Sequence, residues 1–464
     1  MSLISFDFTN ATEAACGSVG LTESSLRELI PEITDACGRL EALCGRPTGF
    51  FLDLPSRSVD EEEEFAKGLR QRFDNMVVIG IGGSSLGTRA IWKALTRPYS
   101  EKFRDGRDAG KVLKLYFAEN VDPVEVEDLL DSIDLERTVF NVVTKSGTTI
   151  ETISVFMIVR ALLLERFGVE GYRERVICTT DIGDNALRQL AEQDGLHTID
   201  IPPGVGGRFS ALSAVGTLPL LCAGVDVRAL LAGGMRAREN ALKGPVRENA
   251  AALFAVTQAA FIRQGAGDVV FMAYISQFAD LGEWFVQLWA ESLGKRRADG
   301  TSVGPTPIPA IGARDQHSLL QLMMEGPLER NVVFVEDART PSKLRVPTAP
   351  AALASLAHLS ERALSETLHA EQRGVEAALR ESDRPSSTIR LNGISEASIG
   401  AFVVMLECAT ALTGFLLGID PFDQPGVELG KRYAHGILGR ASDAGYLTRL
   451  HEDDQRLGRV VTEF

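Results

Sequence analysis

The segment Pro421-Phe422-Asp423-Gln424-Pro425-Gly426-Val427-Glu428-Leu429-Gly430-Lys431 joins a proline-punctuated turn to a helix start and presents an amide, a carboxylate and an amine. Pro425 suits a first helical position, because its missing N–H would have no intrahelical partner there. A helix running on from it would set Gln424 and Lys431 two turns apart on one face, an arrangement of polar groups that no core requires. Gln287-Leu288-Trp289-Ala290-Glu291-Ser292-Leu293-Gly294-Lys295 reads as the end of an apolar helix with a glycine stop. It carries Gln287 and Glu291 at i and i+4, hence on one face. Most glutamates are solvated; one at the glycine end of a helix rich in Trp284, Phe285 and Leu288 is a candidate general base. Gly206-Gly207-Arg208-Phe209-Ser210 sets a guanidinium beside two glycines, where it can lie close to a small ligand and stabilise developing negative charge. An arginine after glycines is ordinarily a surface residue, but the apolar run Val215 to Leu221 argues for a partly buried place. Asp315-Gln316-His317-Ser318 follows a Pro- and Gly-rich loop from Gly304 to Gly312, and of 6 histidines only His317 sits in a dense polar cluster. His197, His358, His369, His435 and His451 are scattered, with no two at metal-ligand spacing on one helix, so no metal site is expected.

Two further segments are suited to anions. Met76 to Gly87 reads as a strand entering a glycine-rich turn (Gly80, Gly82, Gly83, then Ser84 and Ser85) and a helix. Glycines allow close backbone approach, and a helix amino end offers unpaired N–H groups. A dinucleotide fingerprint would need a third glycine at position 85, where Ser stands, and Gly87 is displaced. Thr144-Lys145-Ser146-Gly147-Thr148-Thr149 packs hydroxyls and an amine after a strand and before a helix. Hydroxyl and N–H donors suit phosphate oxygens without metal or nucleotide. One hydroxyl would suffice for a helix cap; this many favour a ligand.

These residues need a scaffold that brings them together. Short apolar runs at Met76–Gly80, Lys114–Phe117, Val139–Thr144 and Val176–Thr180 predict strands, with helices at Gly87–Leu95, Glu125–Ser132 and Thr149–Arg166 between them. Continuous apolar strands alternating with helices indicate parallel sheets covered on both faces. A second set, Val269–Tyr274, Asn331–Val335 and Ser387–Leu391, predicts another such sheet. The expected fold is therefore α/β, with two α/β/α sandwiches joined through a helical region around residues 225–265. The expected organisation is a helical region over 1–72, domains over 73–225 and 226–395, and a helical segment over 396–464 that returns over the domains. Ser58-Val59-Asp60-Glu61 predicts a capping box opening a helix through about Arg72, with the acidic run Asp60 to Glu64 solvated at its positive end. No short-period repeat or low-complexity linker is present.

Bulk properties bound the partners. A chain of 464 residues is too long for one ordinary core, and 45% hydrophobic with 24% charged residues is ordinary globular composition. A net charge of −15 argues against nucleic acid and anionic membrane as main partners. The 6 cysteines, Cys16, Cys37, Cys44, Cys178, Cys222 and Cys408, form no CxxC pair, so a reduced cytoplasm is the simplest location and small buried hydrophobes their simplest role. The amino terminus lacks the pattern of a signal peptide. The apolar stretch Ile399 to Ile419 carries Glu407 in its middle, which lipid would penalise, so a buried helix is expected.

Taken together, the segments resemble the signatures of the phosphoglucose isomerase family, also called glucose-6-phosphate isomerase, whose sugar-isomerase (SIS-type) domains bind sugar phosphates. The Pro421–Lys431 stretch is similar to the family's C-terminal signature, and the matches run in the family's order from residue 76 to 431. The resemblance implies that Glu291 is the base moving a proton between C1 and C2 and that Arg208 stabilises the enediol-like intermediate. His317 would assist ring opening, with Lys431 helping at the ring oxygen. Ser84, Thr144, Ser146 and Thr149 match phosphate-contacting positions, with the glycine turns at Gly83 and Gly207 and the backbone of Lys145 nearby; Gln287 and Gln424 match residues lining the sugar. It further implies a homodimer, His317 coming from the neighbouring subunit, and no cofactor. Two departures stand out: Pro203-Gly204 replaces an acidic-asparagine pair common in the family, and Thr144 stands where many relatives have Ser. A dual isomerase that also takes mannose 6-phosphate, a non-catalytic SIS-domain regulator that binds sugar phosphate, and a nicotinamide-dependent dehydrogenase are the alternatives. The regulator would need only the hydroxyl cradle, not Glu291, Arg208, His317 and Lys431 together.

Overall fold

A computed structural model describes residues 2–99, 102–107, 110–339 and 342–458. A short strand, β1 (Ile4–Asp7), opens the chain; β2 (Asn75–Ile79), β3 (Lys114–Ala118), β4 (Thr138–Val143), β5 (Val176–Asp181) and β6 (His197–Ile201) follow with helices between them. These last five form one sheet in the order β3-β2-β4-β5-β6, parallel throughout. Then come β7 (Asp268–Ala273), the small hairpin β8 (Lys295–Arg296) and β9 (Ser302–Val303), β10 (Pro307–Ile311), β11 (Arg330–Asp337) and β12 (Ser386–Leu391). The second large sheet has the order β1-β12-β11-β7-β10; β1 is antiparallel to β12 and the other pairs are parallel. The predicted strands are all present, with no end shifted by more than two residues. Valine-rich β4 is buried along its whole length, as expected of a central strand covered on both faces.

Three strands of the large sheets were not foreseen. Residues 1–72, read as helical, contain β1, whose pairing partner lies at the far end of the sequence. β6, of mixed polarity, carries no apolar run. The expected loop from Gly304 to Gly312 contains β10; Pro307 and Pro309 are tolerated because β10 is an edge strand. The capping box also needs correction. The helix Asp60–Arg72 has Val59 as its N-cap, while Ser58 Oγ accepts from the Asp60 N–H at 3.2 Å. Nor is its acidic start wholly solvated. Glu62 turns inward, accepting from Arg57 at 2.5 Å and from Thr217 Oγ1 at 2.5 Å, and Asp60 and Glu63 pair with Arg228. This fastens the helix to the buried helix Ala214–Cys222.

The compact unit Met1–Pro421 holds both sheets. The helices Val227–Lys243 and Ala250–Arg263 lie in sequence between the strands of the two sheets, and both pack against the helix Glu396–Leu416. That last helix is long and apolar enough to cross a membrane, but 94% of its apolar window is buried inside the protein. Four cysteines are buried, Cys37 and Cys44 are partly so, and all six are unpaired. Residues Phe422–Phe464 form a second unit. In it the helices Glu428–Ile437 and Ala444–Leu457 pack together, Tyr433 meeting Tyr446 edge-on at 5.2 Å.

Glu407 is fully enclosed, and its Oε1 has no hydrogen-bond partner among the described residues. Desolvation by burial pushes its carboxyl well above the usual carboxylate range, because the charged form is penalised there. A raised folded-state value leaves stability undiminished below the unfolded value and erodes it as pH rises toward the folded one. Glu407→Met is therefore expected to stabilise the protein at pH 7.5 by about 1–3 kcal/mol for the unsatisfied buried group, plus the linkage penalty that a raised carboxyl carries at that pH. The gain should shrink as pH falls toward 4. Denaturant unfolding at both pH values checks this, and equal stability of the two proteins at pH 7.5 would refute it.

Candidate active site

In the first sheet, β2 is followed by β3 on one side and β4 on the other, so the order reverses between β2 and β4. The carboxyl ends of such neighbouring strands open a crevice, the usual ligand position in open α/β sheets. Both anion-suited segments start there. After β2 the chain makes a tight turn at Gly82–Ser84 and enters the helix Leu86–Leu95. Gly83 permits the turn to touch the turn Gly207–Phe209: a Cβ on Gly83 would fall 2.2 Å from the Gly207 carbonyl carbon. Gly82, at φ +57°, meets Gln287, whose Nε2 would lie 2.9 Å from an added Cβ. Glycine is thus required where three chain segments converge.

After β4, Thr144 and Thr149 share a hydrogen bond between hydroxyls at 2.8 Å, and Ser146 Oγ lies 3.5 Å from Thr149 Oγ1. Thr149 is the N-cap residue of the helix Ile150–Arg173, yet its side chain caps nothing. The capping explanation therefore fails for this hydroxyl, and the free N–H groups of the first helical turn face the same end as the hydroxyls. Ser146 Oγ accepts from the Thr148 N–H at 3.3 Å. Lys145 Nζ donates to the Val205 carbonyl at 2.8 Å, joining this loop to the chain just before Gly206.

Arg208 is buried, 2% exposed, despite its charge. Its Nε donates to Ser292 Oγ at 2.7 Å, its Nη2 to the Pro421 carbonyl at 2.6 Å, and its Nη1 lies 3.4 Å from Glu291 Oε1. Glu291 Oε2 in turn accepts from Gln287 Nε2 at 3.3 Å. The Glu291 side chain is 27% exposed, so one carboxylate reaches open space while a buried guanidinium and an amide orient it from behind. Gln287 Oε1 is buried with no hydrogen-bond partner among the described residues. The helix Ala279–Leu293 that carries this group ends at Gly294, as the glycine stop predicts, although Gly294 keeps a negative φ of −72°. A carboxylate beside a fixed cation can exchange a proton with a carbon acid while the cation stabilises the oxyanion formed.

The structure brings Gly83, Ser84, Gly207, Arg208, Gln287 and Glu291 into one neighbourhood, with Thr144, Lys145, Ser146 and Thr149 on the adjoining strand end. His317 is not among the groups bonded there. It is exposed in the first turn of the helix Gln316–Glu325. The polar cluster around it is occupied in holding its own loop: Asp315 accepts from the Ile311 N–H at 2.7 Å and from Arg314, which lowers its pKa, and Gln316 donates to Tyr274 Oη at 2.6 Å. Lys431 and Gln424 belong to the second unit. Pro425 opens a 3-10 turn, Pro425–Val427, ahead of the helix Glu428–Ile437. Gln424 precedes it at φ −156°, outside any helix, so the expected shared helical face does not form. Lys431 lies on that helix, paired with Glu428 at 2.8 Å.

Four residues next to the site, Ser292, Ser85, Glu119 and Arg89, were given no role by the sequence reading. Ser292, adjacent to the candidate base, holds Arg208. Ser85 is buried, and its Oγ donates to Glu119 at 2.5 Å instead of capping its helix. Glu119 pairs with Arg89. Only the spacing of Asp280, Glu283, Gln287 and Glu291 signalled a longer polar stripe on an otherwise apolar helix.

The sequence matches the family model for phosphoglucose isomerase over residues 64–453. It is 39% identical over 443 residues to a glucose-6-phosphate isomerase of Rubrobacter xylanophilus, covering 95% of this chain and 99% of the relative. A glucose-6-phosphate isomerase of Clostridioides difficile is 32% identical, with 98% of this chain and 100% of the relative covered. A crystal structure of a hypothetical protein from Thermus thermophilus superposes with a TM-score of 0.83 at 32% identity, over 94% of this chain and 100% of that one. One of a glucose-6-phosphate isomerase from Chlamydia trachomatis gives 0.77 at 24% identity, over 92% and 88%, and speaks to the fold alone.

Proposed function

Because the chain belongs to the phosphoglucose isomerase family, we propose that it interconverts glucose 6-phosphate and fructose 6-phosphate by moving one proton between C1 and C2 through an enediol intermediate. The observation that carries this reading is the partly exposed Glu291 carboxylate beside buried Arg208, at 3.4 Å. Starting from the open-chain aldose, Glu291 takes the proton from C2 as negative charge gathers on the carbonyl oxygen. Arg208 stabilises that charge, the O2 hydroxyl proton passes to O1, and Glu291 returns the carbon-bound proton to C1 as the carbonyl re-forms at C2. The electrons stay within the substrate, so the reaction balances without a redox partner.

The hydroxyls of Ser84, Thr144, Ser146 and Thr149, with the backbone at Gly83 and Lys145 and the turn at Gly207, hold the phosphate. Binding energy spent there, away from the reacting carbons, keeps C1 and C2 in register with the base. Gln287 and Gln424 line the sugar, and His317 and Lys431 serve ring opening. The exposure of His317 on its own chain supports its delivery to a neighbouring subunit, and so a homodimer; light scattering giving a monomer mass would refute this. The unpaired cysteines accord with a cytoplasmic enzyme. The direct test is to supply purified protein with fructose 6-phosphate, without metal or nucleotide, and measure glucose 6-phosphate formed. Binding without turnover would defeat the isomerase reading.

A further inference from the structure

Asp280, Glu283, Gln287 and Glu291 lie at i, i+3, i+7 and i+11 of the helix Ala279–Leu293. At about 100° per residue they form one narrow stripe, which at 1.5 Å per residue extends about 16 Å. The far end of that stripe holds the base, paired with Arg208. Its middle touches the phosphate turn, through Gln287 against Gly82. Its near end meets Arg89, which pairs with Glu283 and has Nε 3.2 Å from Asp280 Oδ2. Arg89 also pairs with Glu119, and Glu119 accepts from the buried Ser85 hydroxyl at 2.5 Å.

Two features make this more than surface ion pairing. Ser85 stands at the N-cap of the helix Leu86–Leu95 but gives its hydroxyl to Glu119 and none of it to the cap. The first-turn N–H groups of that helix are thereby left for an anion, while Ser85 is tied to the carboxylate that holds Arg89. Secondly, among the described residues Arg89 is the cation paired with Glu119, Asp280 and Glu283 alike, and three of the four side chains are at least three-quarters buried. Without it, three carboxylates from two chain segments would repel across a poorly solvated gap.

We propose that Arg89 is a positioning residue: through Glu119 and Ser85 on one side, and Asp280 and Glu283 on the other, it locks the helix bearing Gln287 and Glu291 to the phosphate turn. Phosphate in the turn is thereby felt at the base. The inference rests on the isomerase reading for its kinetic arm only. Arg89→Met should lower kcat about tenfold while KM for fructose 6-phosphate changes less than about threefold, since no phosphate-contacting group is removed. Arg89→Lys should recover part of the loss. Glu119→Gln should act in the same direction, and the double variant should be no worse than Arg89→Met, as expected of members of one chain of contacts. The second arm is hydrogen exchange with inorganic phosphate as the probe. Phosphate should slow exchange across Ala279–Leu293 in the unsubstituted protein and not in Arg89→Met, although calorimetry still detects phosphate binding. The proposal is overturned if both single variants keep kcat within twofold, if the protection survives in Arg89→Met, or if phosphate gives the unsubstituted protein no protection. Should the unsubstituted protein fail to isomerise, the functional reading falls alone and hydrogen exchange still decides the coupling.

Discussion

Glu291→Gln should leave the chain folded and lower kcat by about three orders of magnitude, within the range of general acid–base catalysis. The substitution keeps the side-chain shape and one oxygen to face Arg208 at 3.4 Å; an amide nitrogen replaces the oxygen that accepts from Gln287 at 3.3 Å, so one long contact is lost. It removes the one property the mechanism needs, a carboxylate that accepts a proton from carbon and gives it back. KM should move by less than the rate, because the hydroxyls assigned to the phosphate lie on other elements. Steady-state kinetics with circular dichroism and a melting curve decide the matter. A folded variant with a tenth or more of the original kcat would mean that another group is the base.

The second large effect is expected at Arg208. Arg208→Lys preserves the charge but not the geometry: a guanidinium reaches Ser292 Oγ at 2.7 Å, the Pro421 carbonyl at 2.6 Å and Glu291 at 3.4 Å together. An ammonium on a shorter head cannot span the three in one conformation. Loss of a preorganised cation facing a developing oxyanion costs about 10²–10³ in kcat/KM. Stability should also fall, by about 1–3 kcal/mol, because a buried acceptor is left unpaired. Kinetics and denaturant unfolding on the same preparation separate the two effects. Unchanged kcat/KM with lowered stability would assign Arg208 to structure alone.

The difference in legibility between these two residues is instructive. Arg208 could be singled out as a candidate because it stands beside two glycines and before an apolar run. Its partners could not: Ser292 and Pro421 are far away in sequence, and only the folded chain brings them to one guanidinium. His317 is a different case. Its neighbours in the dense polar cluster, Asp315 and Gln316, use their side chains to hold the loop, and the imidazole is exposed on its own chain. Neighbours in sequence at a helix start point in different directions, so polar density along the chain overstates polar density in space. Gln424 and Lys431 failed the shared-face expectation for a local reason, since a 3-10 turn intervenes and winds the chain differently from the helix assumed.

By itself the sequence determined the α/β class, the central strands, the glycine turns and the chemical types present at the candidate site. Each of these follows from short-range physics: apolar runs that must be buried, backbone that only glycine can approach, and hydroxyls in excess of what a helix cap uses. Only the tertiary structure decided which strands stand side by side, including β1 against β12 and the proline-bearing edge strand β10. It also decided that Gly83 abuts Gly207, that Arg208 faces Glu291, and that Arg89 gathers carboxylates from two segments. Those are meetings of residues far apart in the chain, set by how sheets and helices pack to bury apolar surface, and no local pattern encodes them.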